Sequence, residues 1–164
     1  MASEKEIMFG AGCFWGVEYA FRKVSGVVDA SVGYSGGHTE FPTYHDVCNK
    51  DTGHAEVVWI KYDESKVSLQ RLLEIFYKIH DPTQINRQGP DVGTQYRSAI
   101  YYYEEEQGQF IRKFQSGLEL SERFSRPIAT EIKKATKFWK AEDYHQQYNQ
   151  RTGRACHINL DFLD

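Results

Sequence analysis

Gly12, Cys13, Phe14, Trp15 and Gly16 set a thiol between two glycines and two large aromatics. Ile7-Met8-Phe9 before it is a short apolar run, and Val17, Ala20, Phe21 and Val24 after it recur at helical spacing. The thiol therefore belongs at a strand-to-helix turn, where free N–H groups and the positive end of the helix macrodipole favour a thiolate. The flanking glycines let other groups approach closely. These features suggest a nucleophile; the alternative is an inert packed thiol. An ordinary thiol is only about 3% ionised at pH 7, and half ionisation needs roughly 2 kcal/mol. A helix terminus supplies about 0.3–1 kcal/mol, so another group or the substrate has to complete activation.

Glu56, within Thr52-Gly53-His54-Ala55-Glu56-Val57-Val58, is the second candidate. In a strand it shares a face with Val58 and Ile60, whereas Ala55, Val57 and Trp59 make an equally apolar opposite face. Alternation alone leaves open which face points inward. On the inward face, desolvation would raise its pKa and yield a neutral carboxylic acid able to donate a proton; on the other it is an edge-strand surface carboxylate. Tyr44 and Tyr96 are phenols in or beside long polar segments, able to donate a hydrogen bond to an oxygen without carrying charge, or simply to pack.

Two further thiols could take part in a disulfide cycle. Cys156 follows Arg151-Thr152-Gly153-Arg154 in an irregular tail, and Cys48 stands amid Asp46, Asn49 and Asp51. No CxxC or HxxxH spacing suggests a metal site, and no GxGxxG or GxxxxGK[ST] suggests a nucleotide, so no cofactor is expected.

The elements that must position these residues can be read along the chain. Strand Glu6 to Phe9 leads into helix Cys13 to Lys23, closed by Ser25-Gly26, and Val27 to Tyr34 is the next strand. Ser35-Gly36-Gly37 opens a polar loop through Gly53, followed by strand His54 to Tyr62. Ser68 caps a helix with an apolar stripe of Leu69, Leu72, Leu73, Phe76 and Ile79, stopped by Asp81-Pro82. After a loop from Thr83 to Val92 come strand Ser98 to Tyr103, helix Glu105 to Phe124 with Phe110, Ile111, Phe114 and Leu118 inward, and strand Ile128 to Ile132. The order strand-helix-strand-strand-helix-strand predicts an α+β, ferredoxin-like two-layer sandwich: a mixed sheet, helices on one face, and an irregular C-terminal tail.

The 164 residues fit a single domain spanning 1–164. Three cysteines without dense spacing read as thiols in a reducing, cytoplasmic setting. The charged start, Glu4-Lys5-Glu6, leaves no room for a signal peptide, and no later stretch is long enough to span a membrane. A net charge of -3 with interspersed signs argues against a nucleic-acid surface. A monomer is expected.

Together, Gly12-Cys13-Phe14-Trp15-Gly16, Tyr34-Ser35-Gly36-Gly37, Gly53-His54-Ala55-Glu56-Val57-Val58 and Asp91-Val92-Gly93-Thr94-Gln95-Tyr96-Arg97-Ser98 resemble the type A peptide methionine sulfoxide reductases over nearly the whole chain. That resemblance implies the S epimer of methionine sulfoxide as substrate, free or in proteins, and repair of oxidative damage. It implies Cys13 as nucleophile, Glu56 as proton donor, and Tyr44 and Tyr96 as hydrogen-bond donors to the sulfoxide oxygen. Phe14 and Trp15 become walls for the S-methyl group, and Asp91 an acidic support. Cys156 matches a C-terminal resolving thiol, with thioredoxin the usual reductant in the family. Without the resemblance, the leading alternative is a thiol peroxidase or other cysteine redox enzyme, behind it a cysteine hydrolase with a histidine base, and third a binding module whose aromatic pocket captures a methyl-bearing ligand.

Overall fold

The computed structural model describes residues 3–147. Strand β1 (Glu4–Ala11) alternates Ile7, Phe9 and Ala11 with Met8, so its two faces serve two different cores. It pairs antiparallel with β3 (Ala55–Asp63) on one side and β6 (Ser98–Tyr102) on the other, and β2 (Val27–Ser35) pairs antiparallel with β3. The resulting order, β6-β1-β3-β2, is that of a ferredoxin-like sheet. Two short strands extend it. β7 (Glu131–Lys134) lies parallel to β6, reached through helix α4 (Glu105–Leu120), and β8 (Trp139–Lys140) lies antiparallel to β2.

Helices α1 (Phe14–Arg22), α3 (Leu69–Lys78) and α4 all send apolar residues into the core that holds Ile7, Phe9, Val58 and Ile60. The Phe9 ring lies between those of Phe21 and Phe76, with centroids 5.0 and 4.9 Å away, so one aromatic of β1 fixes the seats of two helices. Tyr77 joins α3 to α4, stacking on Phe114 at 5.9 Å and donating to Oε1 of Gln115 at 2.5 Å. The other sheet face buries Met8, Ala55, Val57, Ala99 and Tyr101 under Trp59, Tyr103, Ala135 and Phe138. Strand β3 is therefore covered on both sides, which is why its alternation carried no directional signal.

Several elements differ from expectation. Helix α4 ends at Leu120 rather than Phe124, because Glu122 takes a left-handed φ of 59°. Of the α4 residues expected inward, Ile111 is fully buried, but Phe110 is 40% exposed on the flank, stacking on Phe114 at 6.5 Å. The final strand starts at Glu131, not Ile128, since the Ala129 amide donates to the Pro82 carbonyl at 2.7 Å rather than to β6. The polar loop after β2 holds a short helix, α2 (Tyr44–Asn49), with a reciprocal Thr43–Asp46 capping box. The loop after α3 contains a hairpin, β4 (Arg87–Gln88) with β5 (Asp91–Val92). In the tail, the Gln146 side chain accepts from the Val32 amide at 2.9 Å and donates to its carbonyl at 3.0 Å, as a strand neighbour would.

The loop carrying Tyr44 is pinned by His54. Its Nδ1 accepts from the Gly37 amide at 3.0 Å, and its Nε2 contacts the Thr39 carbonyl at 2.8 Å, which requires the Nε2–H tautomer. No helix among the described residues is long and apolar enough to cross a membrane.

Candidate active site

Cys13 occupies the N-cap position of α1, half-buried, immediately after Gly12. Gly12 has φ +96°, and a side chain there would press Cβ to 2.9 Å from Cβ and Cγ of Gln88. Only glycine gives both the turn and the close approach. The strand-to-helix turn holds the thiol at the end of the helix-covered core.

Glu56 enters from β3 on the same face as Val58 and Ile60, 1% exposed. Its Oε1 accepts from the Phe14 amide at 3.2 Å, capping the helix that begins beside Cys13. Its Oε2 is buried without a hydrogen-bond partner. Burial, reinforced by the nearby Asp91 carboxylate, pushes its pKa up to about 8 against the opposing pull of the Phe14 amide. At pH 7 the protonated form of Glu56 is therefore favoured. An acidic proton, a partnerless oxygen and a thiol one residue from its anchor make a proton donor beside a nucleophile.

Burial also pushes the Cys13 thiol up, to about 12, followed by the charges of Glu56 and Asp91; the Trp15 and Gly16 amides pull the other way and lose. The helix start alone does not ionise this thiol.

Tyr44 and Tyr96, from separate segments, both lie within the electrostatic reach of Glu56. Tyr44 is the first residue of α2, with its ring 6.3 Å from Phe14 and 6.2 Å from Trp15. Tyr96 ends a single 3-10 turn after β5. Both phenols are raised well above their ordinary pKa, chiefly by burial and then by Glu56, so both remain proton-bearing donors. Asp91, on β5, acts electrostatically on Cys13, Glu56 and Tyr96. Cys48 lies on α2 beside Tyr44 and Gln95, raised by its burial. Cys156 lies outside the described residues.

Three residues of this region were not singled out by the sequence, two of them without any local signal. Glu142 accepts from the Tyr34 hydroxyl at 3.1 Å and from the Tyr44 amide at 3.1 Å, tying α2 to the tail. His145 accepts at Nδ1 from the Trp15 indole N–H at 3.0 Å and stacks on Tyr44, with centroids 4.5 Å apart. With Phe14, Trp15, Tyr34 and Tyr44 it completes an aromatic cluster. Neither comes from a periodic segment, and only the folded tail brings them here. Arg97 bridges the site's supports: its guanidinium donates to Glu131 at 3.1 Å and to the Gly53 carbonyl at 2.9 Å, just before β3. Its place beside Tyr96 in the sequence was the only available hint. No group of three His, Cys, Asp or Glu among the described residues is placed to hold a metal ion.

A ferredoxin-like sandwich in which a thiol, a neutral carboxyl and two phenols meet beside a helix start defines a protein suited to cysteine redox chemistry on an oxygen-bearing substrate. Comparison with known proteins gives the family. A family model described as Peptide methionine sulfoxide reductase matches residues 5–163. The chain is 57% identical over 149 residues to peptide methionine sulfoxide reductase MsrA of Geobacter metallireducens, covering 90% of this chain and 92% of that protein. With MsrA of Methanosarcina acetivorans it shares 57% over 154 residues, 94% of this chain and 82% of that one. Among solved structures, reduced Mxr1 of Saccharomyces cerevisiae superposes with a TM-score of 0.88 at 35% identity, covering 94% of this chain and 90% of that chain. Methionine sulfoxide reductase A of Corynebacterium diphtheriae gives 0.85 at 38%, covering 97% and 84%. Mxr1 in complex with Trx2 gives 0.63 at 27%, covering 89% and 85%. The chain belongs to the peptide methionine sulfoxide reductases of type A, and is an oxidoreductase that reduces methionine sulfoxide.

Proposed function

We propose that Cys13 attacks the sulfur of the S epimer of methionine sulfoxide, free or within a protein. The sulfoxide oxygen lies between Glu56, Tyr44 and Tyr96, and the S-methyl group against Phe14 and Trp15. Glu56 supplies the proton that the oxygen needs as its bond to sulfur breaks. In net terms the Cys13 thiol and the sulfoxide become a sulfenic acid and methionine, the sulfoxide being reduced and Cys13 oxidised. Cys156 then condenses with the sulfenic acid, forming a Cys13–Cys156 disulfide and releasing water. Thioredoxin reduces this disulfide, a reading supported by the complex of the yeast relative with Trx2. Asp91 keeps the site acidic by favouring protonated Glu56.

The observation that carries this reading is the buried, protonated Glu56, anchored by one oxygen to the Phe14 amide with the other oxygen free to serve substrate. The whole chain, 1–164, acts as one monomeric domain in the reducing cytoplasm, repairing oxidised methionine without a cofactor.

Methionine release from each purified sulfoxide epimer, with wild type and Cys13→Ser, tests the reading. Activity on the S epimer that vanishes in Cys13→Ser is expected; turnover of the R epimer instead, or a Cys13→Ser variant that still releases methionine, overturns it. For the second step, Cys156→Ser treated with one equivalent of sulfoxide should accumulate Cys13 sulfenic acid by mass spectrometry. Undiminished turnover of that variant with thioredoxin would remove Cys156 from the cycle.

A further inference from the structure

The hairpin that bears Asp91 is joined to the Cys13 turn through one side chain. Gln88 pairs with Asp91 across β4 and β5. Its Cβ and Cγ lie over Gly12, the residue before the nucleophile, close enough that a side chain there would meet them at 2.9 Å. Its amide grips the backbone of Asp81 at both ends, accepting from the Asp81 N–H at 2.8 Å and donating to the Asp81 carbonyl at 2.9 Å. Asp81 is a firm anchor. Its own carboxylate accepts from the Thr83 amide and hydroxyl at 3.0 and 2.6 Å. The adjoining His80 ring spans the Phe76 carbonyl and the Ser98 hydroxyl at 2.6 and 2.8 Å. Burial holds the pKa of His80 down to about 4, so the ring is neutral and makes both contacts by donating from Nδ1 and accepting at Nε2.

We propose that Gln88 is a positioning residue that sets the separation between Asp91 and the Cys13–Glu56 pair, and through it the acidity of the site. The inference rests on the functional reading above for what that acidity is used for, but the geometry stands apart from it. Three different parts of one side chain and its backbone hold three partners, so Asp91 cannot shift relative to Gly12 without breaking a contact of Gln88. The groups that act on Cys13 are Glu56 from β3, Asp91 from β5, and the Trp15 and Gly16 amides of α1. Of these, Asp91 is the one that shares its hairpin with Gln88.

The test is a double-mutant cycle read on the thiol. Rates of Cys13 alkylation by iodoacetamide, followed by peptide mass spectrometry across pH 6 to 10, are compared for wild type, Gln88→Ala, Asp91→Asn and the double variant. Releasing the hairpin lets Asp91 retreat, so Gln88→Ala should alkylate about three- to tenfold faster near pH 8, corresponding to a fall of half to one pKa unit. In the Asp91→Asn background the same substitution should change the rate less than twofold, because the charge is already gone. Equal effects in both backgrounds, or none in either, overturn the proposal; a merely structural role would show no dependence on Asp91. Gln88→Met, which keeps the stem over Gly12 but loses the amide grip, is read in the same cycle if Gln88→Ala fails to fold. Alkylation requires no sulfoxide, so failure of the proposed reductase chemistry would leave this result intact.

Discussion

The Phe14 amide and the Glu56 carboxyl, 42 residues apart in the chain, meet at 3.2 Å. That bond ties one oxygen of a buried acid to the helix start and leaves the other buried without a hydrogen-bond partner. Acid and thiol are thereby held in register by α1 itself, and whatever moves the helix start moves both.

Glu56→Gln keeps the acceptor for Phe14 but loses the proton. Reduction of sulfoxide should slow by about 10²–10⁴-fold, the usual worth of a positioned acid. The Cys13 thiol should ionise at lower pH, since the charge of Glu56 is one of the influences that raise it. Single-turnover kinetics and iodoacetamide titration check the two halves; an unmoved thiol titration would refute the coupling.

Stability should carry the same signature. The folded-state pKa of Glu56 is raised from 4.5 to about 8, so the folded protein keeps a proton that the unfolded chain has already released. The contribution of this group is fully present below about pH 4.5 and is lost as pH rises through about 8. Urea denaturation at pH 5, 7 and 9 should show Glu56→Gln gaining on wild type with rising pH, by up to a few kcal/mol. A pH-independent difference would contradict it.

Tyr44→Phe and Tyr96→Phe each remove one of the two phenols that the proposed mechanism uses as donors to the oxygen, while leaving the other. Each should lower kcat by about tenfold and the pair by about 10²–10³-fold, with the alkylation rate of Cys13 changed little. Equal KM values for wild type and variants would place the loss in the transition state.

His145→Ala removes the acceptor that fixes the Trp15 indole. A loss of about 1–1.5 kcal/mol in substrate binding, about five- to tenfold in KM, is expected without change in the thiol titration. A fall in kcat at constant KM would instead give His145 a part in the chemistry.

Gly12→Ala places a side chain at φ +96° against Gln88. It should destabilise the protein by about 1–3 kcal/mol, measured by thermal or urea unfolding, and reduce activity further by moving Cys13.

The four central strands and three long helices were legible because their periodicities coincide with their faces: Ile7 and Phe9, Leu72 and Phe76, Ile111 and Phe114. The orientation of Glu56 was not. Alternation reports a direction only when one face is wet, and β3 is dry on both. Helix α2 was hidden by its six-residue length and polar composition, although Thr43 and Asp46 stand at capping-box spacing. The parts played by Glu142, His145 and Gln88 depend on partners roughly 100 residues away or on backbone atoms, neither of which leaves a local pattern. The motifs quoted for the family resemblance hold Cys13, Glu56, Asp91 and Tyr96; the residues that support them show only in the fold.

Met8 lies on the closed side of the sheet, 0% exposed, among Ala55, Val57, Ala99 and Tyr101. It is the one methionine of the chain besides Met1. Its thioether is walled off from dissolved peroxide by β-sheet on one side and the segment bearing Ala135 and Phe138 on the other. A reductase of methionine sulfoxide thus keeps this methionine out of reach of the oxidation it reverses, and a neighbouring copy of the chain has no lesion there to mend.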